Sequence, residues 1–582
     1  SFADMVALKG DPHIGEKINT QVIQPLVDAN VRLARADFPN FNDPEKLGEG
    51  APQVAKLGNL IGIFEDQALN FSKNRAENDD ILGDAYEYLM RHFATQSGKS
   101  KGQFYTPAEV SRVIAKVIGI APGNTVGATT VYDPTCGSGS LLLKVAAEAG
   151  KQITLEGQEK DSTTAGLARM NMILHDFPAA NIASGGEGTL VKPRFVDGNG
   201  LRTYDYVVAN PPFSDKSWST GLVLGDSGEG DRYKRFAWGV PPRKQGDYAY
   251  LLHIVRSMKS TAKAACILPH GVLFRGNAEA GIRANLVRSG ILKGIIGLPA
   301  NLFFGTGIPA CILVLDKENA AARRGVFMID ASRGFRKDGP KNRLREQDIH
   351  RIVDTFNRRV DVPGYARLVH RDEIADPKND YNLNLARYID VTEAEDVQDI
   401  DAHLNGGIPL GDIDAMGDWW QVMPDLRGQL FDDLRPGYLS LSLPLTDVRI
   451  AIEQHPQFLA FTHQAGEAFT AWRDEADAAF RAFSLGGQPK ELIHTVSESL
   501  LDTFRKVPLV DPYDIYQHLL DYWSEVLQDD AYLIAAVDWV PGAQPRRIVK
   551  RKNKDGKLVW PEPGDYKIDK HPYISDLIPA YL

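Results

Sequence analysis

The spacing of hydrophobic residues changes twice along the chain and divides it into three predicted regions. Apolar positions in residues 1–100 lie three and four residues apart, which indicates amphipathic helices. From residue 101 to about 335, short apolar runs alternate with helical stretches, as in a doubly wound α/β sheet. Helical spacing returns beyond residue 400. We therefore predict an N-terminal helical domain (1–100), an α/β domain (101–400) and a mostly helical C-terminal region (401–582). The stripe that marks the first domain is Leu82, Ala85, Tyr86, Leu89 and Phe93.

Six apolar runs of the middle region are predicted to be strands of one sheet. The last two are joined only by residues 300–309, which contain Gly and show no helical pattern. A parallel crossover needs about a dozen residues or more, so this pair is predicted to be antiparallel. The six runs are residues 131–133, 153–159, 206–209, 264–269, 293–299 and 311–316.

The C-terminal region carries two further patterns. Residues 404–424 are rich in Gly, Asp and Pro and are predicted to be a linker. Aromatic residues then recur every eleven positions in two interleaved series, which predicts one aromatic face on a helix over residues 456–484. That face either packs inside the region or docks a partner helix. The series are Phe458, Phe469 and Phe480, and Phe461, Trp472 and Phe483.

Composition is that of a large folded protein. At 582 residues, 43% of them hydrophobic, the chain is long enough for about two to four domains. Cys136, Cys266 and Cys311 match no metal-binding spacing and are expected to be free, buried thiols of a cytoplasmic protein, with no metal site. Because neither a signal peptide nor an apolar run of about 18 residues occurs, no membrane insertion is expected. The start at Ser1 suggests that an N-terminal piece is absent.

The net charge of -10 argues against a chain that binds nucleic acid by itself. Two predicted loops are locally basic, residues 214–246 and 332–345, and a further basic run lies at residues 546–557. Each is either a solvated surface or a phosphate contact, and for the two loops we favour contact with DNA. Their cations are Lys216, Arg232, Lys234, Arg235, Arg243 and Lys244, and Arg333, Arg336, Lys337, Lys341, Arg343 and Arg345; the third run holds Arg546, Arg547, Lys550, Arg551, Lys552, Lys554 and Lys557.

The most informative motif is Asn210-Pro211-Pro212-Phe213, which closes the hydrophobic run 204–209. Two prolines end the strand and fix the backbone, so the Asn210 amide oxygen and a neighbouring carbonyl can aim at one amino group beyond the sheet edge. Phe213 offers a face on which a nucleobase can stack. The alternative is an ordinary proline-rich turn.

A second motif follows the run that ends at Asp133. Gly137 and Gly139 allow the backbone to pass close to a ligand before a helix begins, and Asp133 suits a cationic amine. Glu159 ends the next predicted strand, at the place where nucleotide-binding α/β folds hold ribose hydroxyls. A tight turn without a ligand is the alternative.

A third motif, GQFYTPAEV at residues 102–110, places Thr106 and Pro107 at a helix start, where an ordinary cap is the simple explanation. The order of these three motifs resembles the amino-methyltransferases that carry the cofactor motif first, and specifically the M subunit of type I restriction-modification systems. Residues 268–275 (LPHGVLFR), 298–312 (LPANLFFGTGIPACI) and 380–388 (DYNLNLARY) also resemble that family, so similarity extends from about residue 80 to 400.

The resemblance implies a methyltransferase domain over residues 101–400, a mostly parallel sheet with one reversed strand, and S-adenosyl-L-methionine as cofactor. The family's adenine-binding segment corresponds here to residues 186–190 (GEGTL), which contain Glu187 and one inserted residue, so that contact is in question. The implied catalytic residues are Asn210, Pro211, Pro212 and Phe213, and the implied cofactor-binding residues are Gln103, Phe104, Tyr105, Thr106, Pro107, Asp133, Gly137, Ser138, Gly139, Ser140, Glu159 and Glu187.

The resemblance further implies methyl transfer to the N6 amine of a flipped adenine in DNA. Expected partners are DNA, a specificity (S) subunit, a restriction (R) subunit and a second copy of the M subunit, with residues 401–582 docking a partner. No target-recognition repeat is evident, so sequence specificity is expected from another polypeptide. Protein or RNA amine methylation, a solitary DNA methyltransferase without a restriction partner, and a non-catalytic scaffold are the alternatives.

Overall fold

The chain forms two compact units, one of Ser1–Lys73 with Asp80–Thr392 and one of Asn74–Asp79 with Glu393–Leu582. The computed structural model describes residues 1–65, 88, 106–150, 152–225, 228–303, 306–390, 398–552, 557–560 and 564–577. None of the helices in these ranges is both long and apolar enough to cross a membrane. The domain boundaries near residues 100 and 400 stay a prediction.

The first unit begins with short helices around a small apolar core. Ile14, Ile18, Leu57 and Ile61 are buried together in this core. Asp37 joins the helices to the sheet region, because it accepts a hydrogen bond of 3.0 Å from Nε of Arg169. The predicted stripe from Leu82 to Phe93 lies outside the described residues. The helices are Phe2–Ala7, Ile14–Lys17, Gln24–Asp28, Pro44–Leu47 and Ala51–Phe64, with a π-helix at Ile18–Ile23.

Within the described residues, nine strands form one mixed sheet in the order β13-β10-β8-β9-β7-β6-β1-β2-β3. They are β1 (Thr130–Asp133), β2 (Thr154–Glu159), β3 (Asn181–Ser184), β6 (Tyr204–Ala209), β7 (Met258–Pro269), β8 (Leu292–Gly297), β9 (Ala310–Asp316), β10 (Gly325–Asp330) and β13 (Ala366–His370). Two small hairpins lie outside this sheet, β4 (Val196–Asp197) with β5 (Gly200–Leu201), and β11 (Arg336–Asp338) with β12 (Lys341–Arg343).

The predicted α/β fold class is confirmed, including the antiparallel pair β8 and β9. Strand β9 also runs antiparallel to β7, whereas β1, β2, β3, β6 and β7 are parallel neighbours. A second reversed strand, β13, pairs with β10 at the sheet edge and was not predicted. Its alternation of buried and exposed residues is weak, since edge strands are covered less completely.

Helices cover both faces of this sheet. Alternate residues of each strand point to opposite faces, so Val131 and Val208 join one apolar cluster, and Tyr132 and Val207 join the other. The first cluster takes in Ala108–Val117, Ser140–Ala149, Ser162–Leu174 and Glu346–Arg358, and the second takes in Asp247–Arg256 and Ala278–Arg288. A last short helix spans Arg371–Ala375. Two covered faces explain why the central strands are continuous apolar runs.

The second unit is mostly helical, and the linker predicted at residues 404–424 is wrong. Short helices occupy that stretch, and its Gly, Asp and Pro residues separate them; the indole Nε1 of Trp420 donates to the Ile413 carbonyl at 2.5 Å. The helices are Ile400–Asn405, Leu410–Asp414, Gly417–Val422, Pro424–Leu430, Leu445–Glu453, Pro456–Ala482, Pro489–Phe504, Pro512–Tyr522, Gln528–Val537 and Trp539–Gly542. The strands are Ile408–Pro409, Phe431–Arg435, Tyr438–Leu441, Arg546–Arg547, Arg551–Lys552, Leu558–Val559, Tyr566–Ile568 and His571–Ile574.

The predicted aromatic helix is confirmed as Pro456–Ala482. Trp472 is buried, and its Nε1 donates to the Val496 carbonyl at 3.1 Å. Phe461 and Phe480 pack against the same cluster, whereas Phe469 is exposed. Most of the aromatic face therefore serves the core of the second unit, and partner docking stays a prediction.

Candidate active site

The predicted site residues gather at the carboxyl edge of the sheet. Asp133 ends β1, Glu159 ends β2, and Asn210 directly follows β6. Strand β1 lies between the other two and is parallel to both. Because parallel neighbours end at the same edge, three strand ends that are distant in sequence lie side by side.

The turn after β1 is tight and closely packed. Gly137 and Gly139 have φ values of 53° and 80°, which side chains with a Cβ rarely adopt. A Cβ on Gly139 would also lie 2.5 Å from Cε of Met172. The amide of Gly139 donates to the Cys136 carbonyl at 2.8 Å, and the helix Ser140–Ala149 begins immediately afterwards. At this turn the backbone of two glycines, which have no side chains, therefore lies at the edge of the sheet.

Two buried carboxyl groups border this turn. Asp133 is 2% exposed and accepts a hydrogen bond of 2.8 Å from the amide of Thr135. Glu159 is 6% exposed and accepts from the amides of Gly137 (3.1 Å) and Asp161 (2.9 Å). Burial raises the pKa of Asp133 to about 8 and also raises the pKa of Glu159, because a desolvated carboxylate is disfavoured. In the described part of the chain both acids accept hydrogen bonds only from backbone amides and the Thr135 hydroxyl, so each is an acceptor of the kind that a cationic or hydroxyl group needs.

The serines of the turn bond to each other and to a neighbouring helix. The hydroxyls of Ser138 and Ser140 lie 2.9 Å apart, and the Ser138 carbonyl accepts from Nδ2 of Asn171 at 2.9 Å. Asn171 belongs to the helix Ser162–Leu174, which packs behind the turn. The turn is therefore held in shape from within the protein.

Glu187 lies in the segment 186–190, which contacts the turn after β1 through Thr189. The Thr189 hydroxyl donates to the Pro134 carbonyl at 2.5 Å. Glu187 itself is half exposed and forms an ion pair of 2.9 Å with Lys192. Its role as a cofactor contact stays a prediction.

The Asn-Pro-Pro-Phe motif contacts the motif that precedes the first sheet strand. Nδ2 of Asn210 donates to the Thr106 hydroxyl at 3.0 Å, which directs the amide nitrogen to Thr106 and leaves the amide oxygen as an acceptor. Pro107 caps the helix Ala108–Val117, whose Val110 amide donates to the Pro107 carbonyl at 3.0 Å. Gln103, Phe104 and Tyr105 lie outside the described residues.

Phe213 is half-buried against a second aromatic ring. Its ring packs edge to face on Phe303, with centroids 5.5 Å apart. Phe303 was not predicted as a site residue, although it lies in the family-like stretch 298–312. The resemblance of that stretch to the family was the sequence feature from which Phe303 could have been predicted.

The backbone after Phe213 is fixed by a buried charge network that sequence reasoning missed. Ser214 has a φ of 53°, and its amide donates to Oδ1 of Asp247 at 2.7 Å. Asp247 is fully buried, and its Oδ2 accepts from Nη1 of Arg275 at 2.7 Å. Arg275 also pairs with the buried Glu279 at 3.4 Å. Arg275 ends the family-like stretch 268–275, which gives that stretch a positioning role beside the motif.

The two basic segments differ from their predictions in part. The described residues of 214–246 form a loop, as predicted, but Arg235 is buried and pairs with Asp231 at 2.7 Å, so its assignment to DNA contact is wrong in this conformation. Residues 332–345 contain the β11–β12 hairpin and not only a loop. The remaining cations of the first segment, Lys216, Arg232, Lys234, Arg243 and Lys244, are exposed.

Comparisons with known proteins agree with this geometry. A family model described as N-6 DNA Methylase matches residues 77–397, more than half of the chain. The chain is 36% identical over 369 residues to the type I restriction enzyme MpnII methylase subunit of Mycoplasma pneumoniae, covering 62% of this chain and 66% of that protein. It is 34% identical over 400 residues to the MjaVII methylase subunit of Methanocaldococcus jannaschii, covering 65% of each.

A solved structure, the type I restriction-modification system methyltransferase subunit from Streptococcus thermophilus, superposes with a TM-score of 0.58 at 31% identity. The match covers 67% of this chain and 80% of that one. The chain spans about two thirds of the length of the two curated relatives. With its motifs at the carboxyl edge of this mixed sheet and the family match across them, the chain belongs to the N-6 DNA methylase family.

Proposed function

We propose that this chain is the M subunit of a type I restriction-modification complex and transfers a methyl group from S-adenosyl-L-methionine to the N6 amine of adenine in DNA. The observation that carries the proposal is the meeting of Asp133, Glu159 and Asn210 at one sheet edge. A pocket for a cationic ligand and an acceptor for an amine thus lie side by side in a chain of the N-6 DNA methylase family.

The residues beside β1 and β2 fit S-adenosyl-L-methionine. The ligand carries a cationic amine, for which the buried Asp133 is an acceptor, and ribose hydroxyls, for which Glu159 is an acceptor. The tight turn at Gly137 and Gly139 admits a ligand close to the backbone. We assign further contacts to Ser138, Ser140 and residues 103–107, and keep Glu187 as a candidate for the cofactor adenine.

The chain positions the accepting amine through Asn210 and Phe213. The lone pair of an exocyclic amine is delocalised into the base, and hydrogen-bond acceptors on its hydrogens favour the pyramidal, nucleophilic form. The amide oxygen of Asn210 supplies one acceptor, because the amide nitrogen already donates a hydrogen bond to the Thr106 hydroxyl. Phe213 supports the base by stacking, and the prolines keep both residues in place. The cofactor supplies an electrophilic methyl group on a sulfonium, so alignment by the chain provides most of the rate.

The target adenine must leave the duplex to reach this edge. In the proposed complex an S subunit selects the sequence, a second M subunit completes the methylating assembly, an R subunit cleaves, and the unit beyond residue 393 docks a partner. The names of the relatives as methylase subunits support an assembly of several chains.

Tritium transfer from labelled S-adenosyl-L-methionine tests the proposal. The purified chain is incubated with unmethylated genomic DNA, with and without its co-expressed S subunit, and Asn210→Ala serves as the matched control. We expect label in N6-methyladenine only when the S subunit is present. Label in RNA or protein instead of DNA would contradict the substrate, and sequence-specific label without the S subunit would favour the solitary enzyme.

A further inference from the structure

The β11–β12 hairpin concentrates positive charge on a chain of net charge -10. Residues 332–345 contain six cationic side chains and one acidic side chain. In the antiparallel register of the two strands, Arg336 lies opposite Arg343 and Asp338 lies opposite Lys341. Gly339, with a φ of 58°, makes the turn between the strands.

One strand of the hairpin is fastened to the loop that holds Phe303. The buried Asn342 donates from Nδ2 to the Ala300 carbonyl at 2.7 Å and from its amide to the Asn301 carbonyl at 3.1 Å. Nζ of Lys341 donates to the Phe303 carbonyl at 2.6 Å. Since the Phe303 ring packs on Phe213, the hairpin is anchored one contact away from the target-base motif.

The same strand also reaches the helix that follows Thr106. Nε of Arg343 lies 3.8 Å from Glu109 of the helix Ala108–Val117, and Arg345 pairs with Asp348 at 2.9 Å. Lys341, Arg343 and Arg345 are therefore engaged in anchoring, which corrects their prediction as DNA contacts. The hairpin is thus attached both to the helix that follows Thr106 and to the loop that holds Phe303.

Arg336 and Lys337 differ from these anchoring cations. Both are exposed, and no described acid lies within ion-pair distance of either, although the Arg336 charge is one of those that lower the pKa of Glu346. The Lys337 ammonium lies 5.4 Å from the centre of the Phe335 ring, a contact that orients the side chain without neutralising its charge. Two exposed cations thus stand on a short, anchored hairpin, where little backbone entropy is lost when an anion binds.

We propose that Arg336 and Lys337 bind phosphates of the DNA strand that carries the target adenine, beside the extruded nucleotide. This inference rests on the proposed function. Extrusion breaks the stacking and pairing of the base and swings the nucleotide out of the helix, so the neighbouring backbone must be held where the base enters the site. Arg336 and Lys337 lie on the strand next to the one that is hydrogen-bonded to the loop of Phe303, whose ring packs on Phe213.

The double variant Arg336→Ala/Lys337→Ala tests the inference, and Lys56→Ala/Lys378→Ala is its matched control. The control removes the same charge from two exposed lysines elsewhere in the first unit. Binding of each full-length protein, assembled with its co-expressed S subunit, to a fluorescent duplex of about 30 bp that contains the target site is measured by anisotropy from about 25 to 200 mM salt. Losing two phosphate contacts should lower the slope of log affinity against log salt by about 1.8.

We expect the control to keep the wild-type slope, and Arg336→Lys/Lys337→Arg to keep it as well, because the charges are preserved. Unchanged affinity for S-adenosyl-L-methionine in every variant shows that the fold is intact. A wild-type slope in the alanine double variant, or an equal loss in the control, would overturn the inference while DNA methylation continued. A wild-type chain that neither bound nor methylated DNA in the presence of its S subunit would contradict the proposed function itself.

Discussion

We predict that the burial of Asp133 makes binding of S-adenosyl-L-methionine release a proton. Desolvation raises the pKa of this carboxyl to about 8, although the hydrogen bond from the Thr135 amide opposes the shift. In the free protein at pH 6 to 7, Asp133 is therefore mostly protonated. A cationic amine beside it favours the carboxylate, so the complex must lose the proton.

The structure sets the size and the direction of this effect. With a pKa of about 8, close to one proton leaves Asp133 when S-adenosyl-L-methionine binds at pH 6. Affinity should then rise close to tenfold from pH 6 to pH 7. The rise should level off near pH 8, since Asp133 is by then ionised and the ligand's α-amino group, with an ordinary pKa of about 7.7 to 8.0, begins to lose its own charge.

Three variants separate the contributions of Asp133 and Glu159 to the affinity for S-adenosyl-L-methionine and to its pH dependence. Asp133→Asn keeps an acceptor for Thr135 but removes the charge, so affinity should fall by about 10- to 100-fold, the equivalent of about 1.5 to 3 kcal/mol, and lose its pH slope. Glu159→Gln should weaken binding comparably and keep the slope. Asp205→Asn, at the opposite end of β6, should change neither quantity.

Titration calorimetry in two buffers of different ionisation enthalpy measures the affinity and the number of protons released. We expect release in the wild type and in Glu159→Gln, and none in Asp133→Asn at pH 6. An affinity that stayed flat from pH 6 to pH 7 in the wild type, or an equal slope in Asp133→Asn, would refute the assignment of the amine to Asp133.

Three further predictions concern the target base and the partner. Asn210→Ala or Phe213→Ala should abolish methyl transfer and leave cofactor affinity within a few-fold, because we assign both residues to the target base; loss of cofactor affinity in calorimetry together with loss of activity in tritium assays would contradict that assignment. Asp247→Asn keeps an acceptor for Ser214 but loses the charge that holds Arg275, so kcat should fall about tenfold with the cofactor KM unchanged, and an unchanged kcat would remove its positioning role. In gel shifts at physiological salt, the chain alone should bind DNA weakly and without sequence preference, and the S subunit should add affinity and a bipartite target; nanomolar, specific binding by the chain alone would contradict the subunit assignment.

The sequence was sufficient for the part of the site that depends on strand ends. Asp133, Glu159 and Asn210 each end or follow a strand that could be recognised locally. A parallel sheet then brings those ends to one edge without further information. The antiparallel pair β8 and β9 followed in the same way, from a connection too short for a parallel crossover.

Contacts between distant segments could not be predicted in this way. Ser214 meets Asp247, and Phe213 meets Phe303, through tertiary packing that no local pattern describes. The prediction of DNA-contacting cations was the other source of error, because the sequence does not distinguish a buried arginine from an exposed one. Arg235 was assigned to a DNA surface for this reason, although it is paired inside the protein with Asp231.

Net charge and local charge act over different distances in this protein. At physiological ionic strength exposed charges more than about 8 Å apart are largely screened from each other, so a net charge of -10 spread over the chain opposes DNA only weakly at the point of contact. Arg336 and Lys337 act at that point, and two phosphates are few compared with the six to ten that a tight DNA-binding protein contacts. We therefore expect this acidic chain to guide a strand into its site with two cations and, as proposed, to take most of its DNA affinity from another subunit.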